Sequence, residues 1–144
     1  MSTVAKIMSK HPKTVGPGVS IVSAAKKMKA ARVGSLFVKK GKKLVGILTD
    51  TDIVRRAVSS NKPLGKMTVD KVMTTPICTI EGSQSVNDAQ DMMGDLGVRH
   101  LAVTKAGEIV GVVSVRDVMM FYKRYAQSEI SPEVKYSEPK IGQD

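Results

Sequence analysis

The sequence contains one cysteine, two histidines and no tryptophan. A single thiol excludes an intrachain disulfide framework, and Cys78, His11 and His100 lack the spacing of zinc ligands, so no metal scaffold is expected either. Cys78 lies in the apolar run PICTI, where it reads as a small buried hydrophobe rather than a nucleophile. Aromatic residues are as scarce, and with only Phe37, Phe121, Tyr122, Tyr125 and Tyr136 present the core must be built from Val, Ile, Leu, Ala and nine Met. No apolar run approaches the roughly 20 residues that span a bilayer, and the opening MSTVAKIMSKHP lacks the apolar stretch of a signal peptide. A cytoplasmic protein without membrane association is expected. No nucleophile with a base and an orienting group, and no pair of carboxylates in a defined pocket, can be assembled, so an enzyme is not expected.

Acidic residues are nearly missing from the first half. Residues 1–66 carry Asp50 and Asp52 against 15 Lys and Arg, a balance of +13, whereas residues 67–144 balance at −3. Such a basic half is either solvated surface or the complement of an anion: a phosphorylated small molecule, a nucleic acid, or the acidic half of another copy.

What is present is a repeat. Displaced by 65 positions, GILTDTD (46–52) falls on GVVSVRD (111–117), Met8 on Met73, Ser20 on Ser85, Ala24 on Ala89, Met28 on Met93 and Val38 on Val103, with a one-residue slip near Pro12 and Pro76. Each copy predicts the same elements. A short extended segment (Lys13–Val15, Cys78–Ile80) leads through a turn to Ser20 or Ser85, placed to cap a helix whose apolar residues recur at helical spacing; Ser85 and Asp88 have the spacing of a capping box. Two apolar runs follow, joined by KKGK or TKAG, and read as a hairpin. A second helix follows the repeated motif. The fold class is α/β (α+β), two β-α-β-β-α units at 4–60 and 69–126, joined by the loop Ser59–Met67 and followed by a flexible tail at 127–144. Units this short bury too little surface to be comfortable alone, so the two are expected to pack as one pseudo-twofold module.

The repeated motif places a strand directly before a helix N-terminus, where free backbone N–H groups and the helix dipole favour an anion. Thr49 or Ser114 stands at the junction, and its hydroxyl can cap the helix or reach a phosphate oxygen. Asp52 or Asp117 follows in the first turn, where a carboxylate, acceptor-only, can take the hydroxyls of a ribose. The same spacing also makes an ordinary capping box that needs no ligand. Both readings stand on sequence alone.

These units, with VAKIMSKHPKTV and VDKVMTTPICTI at their starts and VRHLAV on the second strand, together resemble a tandem of cystathionine-β-synthase (CBS) domains, a Bateman module, from Val4 to about Tyr125. The resemblance implies a regulatory module that requires no resident cofactor and binds AMP, ADP, ATP or S-adenosylmethionine between the copies. It implies Asp52 and Asp117 as ribose ligands with Thr49 and Ser114 near the phosphate. It implies Thr14, Val15, Thr79 and Ile80 as adenine contacts made through backbone groups. Arg99 and His100 occupy positions from which basic side chains reach phosphate in that family, and Arg116, beside Asp117, is a further phosphate candidate; their counterparts Gly34, Ser35 and Thr51 carry no charge, a departure that leaves open two sites of different affinity or one empty site. Few residues flank the repeats, so the output is expected to pass in trans to an effector protein, from a homodimer formed through the helices. The charge division favours head-to-tail over head-to-head pairing. The alternative reading is a nucleic-acid-binding module using the basic N-terminal half, although no recognised nucleic-acid motif is present.

Overall fold

The computed structural model describes residues 2–125 and residue 139. The first repeat runs α1 (Val4–Ile7), β1 (Ser9–Lys10), β2 (Thr14–Val15), α2 (Ile21–Ala31), β3 (Ser35–Lys40), β4 (Lys43–Thr49) and α3 (Asp50–Asp52). The second runs α4 (Val69–Val72), β5 (Thr79–Glu81), α5 (Val86–Leu96), β6 (His100–Lys105), β7 (Glu108–Ser114) and α6 (Val115–Tyr125). No helix among the described residues is long and apolar enough to cross a membrane.

The long helices begin where their caps are. Ser20 Oγ accepts from the Ser23 amide, and Ser85 with Asp88 completes the reciprocal box expected of it. Both helices end on a left-handed residue, Arg32 and Gly97. Each hairpin turns in two residues, between Lys40 and Lys43 and between Lys105 and Glu108, with Gly41 or Ala106 and Gly107 at positive φ.

Three features differ from the sequence expectation. Each repeat opens with one turn of helix, α1 or α4, too short to show a period. The helix after the first motif is regular only over α3, then continues as a π-helical turn (Ile53–Ala57) and a 3-10 turn (Val58–Ser60). There the Ser59 hydroxyl donates to the Arg55 carbonyl and the Ser60 hydroxyl to the Ala57 carbonyl, competing for the helix's own acceptors. The connection Ser59–Met67 is not all loop, because Leu64–Lys66 forms a further 3-10 turn. The tail expected at 127–144 lies outside the described residues apart from residue 139.

The strands form two sheets, β2-β3-β4 and β1-β7-β6-β5. Their composition reveals an exchange. Strand β1, from the first repeat, pairs with β7 of the second (Ser9 with Val112, Lys10 with Gly111), and Thr74, from the second repeat, bridges to Ile47 of the first. Thr3 bridges to Ser85 and Thr68 to Ser20 in the same reciprocal manner. The displacement of 65 maps Ser9–Val112 onto Thr74–Ile47 and Thr3–Ser85 onto Thr68–Ser20. The turn α1 thereby delivers Val4 to the second repeat's core, beside Ile80, Val86 and Leu101, while α4 delivers Val69 and Val72 to the first repeat's core, beside Ile21, Leu36 and Leu48.

Two glycines lie against the crossing segments. A Cβ on Gly46 would lie 2.6 Å from Met73 Sδ, and one on Gly111 would lie 2.6 Å from Met8 Sδ and 2.7 Å from the Ser9 carbonyl oxygen. A third apolar cluster of Phe37, Ile47 and Ala102 joins the two sheets. The expected packing of two copies into one unit therefore holds, by exchange of their starting segments as well as by face-to-face contact.

Candidate functional site

Each repeated motif sits at a strand-to-helix junction and forms the capping box its spacing allows. At the first junction the Asp52 amide donates to Thr49 Oγ1 and the Thr49 amide to Asp52 Oδ2, both at 3.1 Å. At the second the Asp117 amide donates to Ser114 Oγ at 3.1 Å and the Ser114 amide to Asp117 Oδ2 at 2.8 Å. The cap uses one carboxylate oxygen and fixes the side chain. The other oxygen, Oδ1, differs between the copies.

Asp52 is buried at 7% exposure, and its Oδ1 accepts from the Thr74 hydroxyl at 2.9 Å with Arg56 Nε at 3.8 Å. Asp117 is half-buried, and among the described residues its Oδ1 has no hydrogen-bond donor and no ion-pair partner. The residue equivalent to Thr74 is Ser9, whose hydroxyl makes no such bond.

Both carboxylates border crevices between the repeats. The crevice at Asp52, about 570 Å³, is walled by Thr49, Thr51, Thr74 and Cys78 and reached by Arg55, Arg56 and Arg99. The crevice at Asp117, about 630 Å³, is walled by Ser9, Gly34, Ser35 and Ser114 and reached by Lys10, Lys13, Arg32, Arg99 and Arg116. Asp50, Arg99 and His100 border both. Each crevice is shared between the repeats: beside Asp52 stand Arg99 and His100 of the second repeat and the exchanged Thr74, and beside Asp117 stand Gly34 and Ser35 of the first repeat and the exchanged Ser9.

His100 stands between the two. Burial pushes its pKa below the ordinary imidazole value, with Arg99 acting in the same direction; the carboxylates of Asp50, Asp117 and Asp52 pull the other way without overcoming it. The ring is therefore held neutral near pH 7. An anion placed in either crevice would favour its protonation.

Thus the structure gathers Thr49, Asp52, Arg99 and His100 at one crevice and Ser114, Arg116, Asp117, Arg99 and His100 at the other. Arg99 and His100 border both crevices. The structure does not bring Thr14, Val15, Thr79 or Ile80 to either crevice. Thr14 and Val15 border a separate open groove with Ser23, Lys27 and Lys39, where the Lys27 ammonium donates to the Thr14 carbonyl. Thr79 is exposed and Ile80 is core. The strands begin one residue past the crevice wall, which is formed instead by Lys13 and Cys78, equivalent under the 65-residue displacement. Sequence reasoning also missed Thr74, Asp50 and Arg55. The displacement that pairs Ser9 with Thr74 carries no hint of the exchange, so nothing in sequence alone placed Thr74 against Asp52.

Comparison with known proteins places this geometry. Residues 4–59 and 69–124 each match the family described as CBS domain. A 17.7 kDa protein of Acidianus ambivalens is 38% identical over 117 residues, 80% of this chain and 70% of that protein. A protein with CBS domains from Burkholderia ambifaria superposes with a TM-score of 0.83 at 26% identity, over 92% of this chain and 100% of that one. The CBS domain pair of the protein MJ0100, solved in complex with 5′-methylthioadenosine and S-adenosyl-L-methionine, superposes with a TM-score of 0.78 at 27% identity, over 87% of this chain and 98% of that one.

Proposed function

The chain belongs to the CBS domain family as a tandem pair, and from that premise we propose that it is a regulatory module that senses adenosine-containing ligands in the crevices between its repeats. The observation that carries the reading is the coincidence of parts at each crevice. A carboxylate is clamped by its own cap and bordered by cations drawn from both repeats, and the acid suits a sugar diol while the cations suit phosphate. Binding of S-adenosyl-L-methionine and 5′-methylthioadenosine by the MJ0100 pair supports the same ligand class here.

Ligand occupancy acts by shifting the population between two arrangements of the repeats, to the extent that the ligand prefers one. The output is an effector protein acted on in trans. Homodimerisation through the helices is supported by apolar side chains left exposed on them: Val54 at 63%, Met119 at 65% and Tyr125 at 81%.

The test is a thermal melt with AMP, ADP, ATP, S-adenosylmethionine and 5′-methylthioadenosine. Ligand at a hundred times its dissociation constant should add about 2.7 kcal/mol of stability. No shift with any of the five, or a shift that survives Asp52→Asn combined with Asp117→Asn, refutes the proposal.

A further inference from the structure

The two crevices share a plan but not a state. Asp52 is enclosed, and both of its oxygens are occupied by the protein itself: Oδ2 by the Thr49 amide and Oδ1 by the Thr74 hydroxyl, with Arg56 close by. A diol entering there must share Oδ1 with the Thr74 hydroxyl in a buried setting or displace it, and a donor or acceptor left unsatisfied by displacement costs about 1–3 kcal/mol. Arg56 is held in the same network, because its Nη1 donates to the Met73 carbonyl at 3.2 Å. Among the described residues, the cations at this crevice that make no ion pair are Arg55 and the shared Arg99.

Asp117 is in the opposite condition. Its cap fixes the side chain while Oδ1 has no donor among the described residues, so the acceptor a diol needs is in place and unspent. Lys10, Lys13, Arg32 and Arg116 border this crevice in addition to Arg99, and none of them makes an ion pair among the described residues. With Asp50 and the site's own aspartate included, the formal balance is +3 here and +1 at the Asp52 crevice. Additional phosphate charges are favoured where uncommitted cations are most numerous.

Building on the functional reading above, we propose that the Asp117 crevice is the receptive, high-affinity site and takes a nucleoside polyphosphate, while Thr74 holds the Asp52 crevice in a self-satisfied, low-affinity state. Thr74 is a positioning residue in this scheme, acting through Asp52.

Isothermal titration of the full chain with ATP and with uncharged 5′-methylthioadenosine tests this. ATP should bind first at one equivalent per chain and with an affinity that falls as salt rises, and 5′-methylthioadenosine should bind with little salt dependence. Asp117→Asn should weaken the first ATP event about tenfold or more, the range expected for a charged hydrogen bond, whereas Asp52→Asn should change it less than about twofold. Lys13→Ala and Arg116→Ala, both on exposed side chains, should each weaken ATP several-fold and flatten the salt dependence while leaving the melting temperature unchanged. Thr74→Val removes the hydroxyl at nearly constant shape and should strengthen the second event. Two equal ATP events, or a first event lost in Asp52→Asn and retained in Asp117→Asn, overturns this inference and leaves the functional reading standing. No binding of any adenosine ligand to the unaltered chain overturns both.

Discussion

The exchange of starting segments predicts that two equivalent glycines respond unequally to the same substitution. Gly46→Ala would place a Cβ 2.6 Å from Met73 Sδ and 3.1 Å from the Thr74 carbonyl oxygen. Met73 is a flexible side chain that can swing away, and the carbonyl must yield only a few tenths of an ångström. Gly111→Ala would meet Met8 Sδ at the same 2.6 Å and also the Ser9 carbonyl oxygen at 2.7 Å. That carbonyl belongs to β1, held to β7 on both sides of the contact by the pairing of Ser9 with Val112 and Lys10 with Gly111, so it cannot move without disturbing the sheet edge. Overpacking costs about 1–3 kcal/mol, and replacing a strand glycine by alanine returns about 0.5–1 kcal/mol of backbone entropy. Gly46→Ala should then lie within about 1 kcal/mol of the unaltered chain and Gly111→Ala about 2 kcal/mol below it. At about 4 °C per kcal/mol for a chain of this size, thermal melts should separate the two variants clearly. Because Ser9 borders the Asp117 crevice, Gly111→Ala should also weaken ligand binding there. Equal melting temperatures, or the reverse order, would refute the account of how the segments cross.

Four further outcomes follow from particular residues. Phe37, 1% exposed in the cluster joining the sheets, should cost about 3–5 kcal/mol on truncation to alanine, read as a lower urea midpoint with unchanged slope; a second transition would show that the repeats unfold separately. His100 has a depressed pKa when folded, so the unfolded chain binds its proton first, and stability contributed by the neutral ring is present above about pH 6.5 and lost as pH falls below it. His100→Gln should flatten that part of the acid limb in melts from pH 7.5 to 5, while anionic ligand should bind the unaltered chain more tightly as pH falls through the same range. Ser85→Ala removes one half of the α5 capping box and should cost about 1 kcal/mol by denaturant titration. Any DNA or RNA binding by the basic half should vanish at about 0.2 M salt in anisotropy titrations while nucleotide binding persists; sequence-selective binding that survives salt would favour the nucleic-acid reading.

The repeat, its caps and its hairpins were legible because each rests on local chemistry. Ser20 and Ser85 cap, glycines turn, and apolar residues mark the helix faces, and all of this is encoded within a few residues. The two carboxylates were legible for the same reason. What could not be read is whatever the exchange decides. Whether Thr74 reaches Asp52 depends on which sheet the segment after α4 joins, a choice made by packing Val69 and Val72 into the other repeat's core. The crevice walls at Lys13 and Cys78 were missed by one residue, since strand boundaries depend on pairing with β3 and β6 rather than on the sequence of the segment itself. Arg99 and His100 were legible as phosphate candidates, but sequence has no means of showing that one residue borders both crevices.

The internal repeat also shows which positions the architecture fixes. Several positions in reciprocal contact keep their residue in both copies: Met8 and Met73 lie over Gly111 and Gly46, and Thr3 with Ser85 matches Thr68 with Ser20, whereas Ser9 and Thr74 differ. A crossing made twice imposes the same steric demand twice. The crevice walls carry no such demand, and there the copies differ: Gly34 against Arg99, Ser35 against His100, Thr51 against Arg116, Arg32 against Gly97, Lys13 against Cys78. The instructive exception is Phe37 against Ala102. Both are buried in the single cluster between the sheets, so the two equivalent positions compete for one space, and a large residue in one copy requires a small one in the other. Between the sheets packing itself breaks the symmetry, and the neighbouring crevices, both bordered by His100, need not be alike.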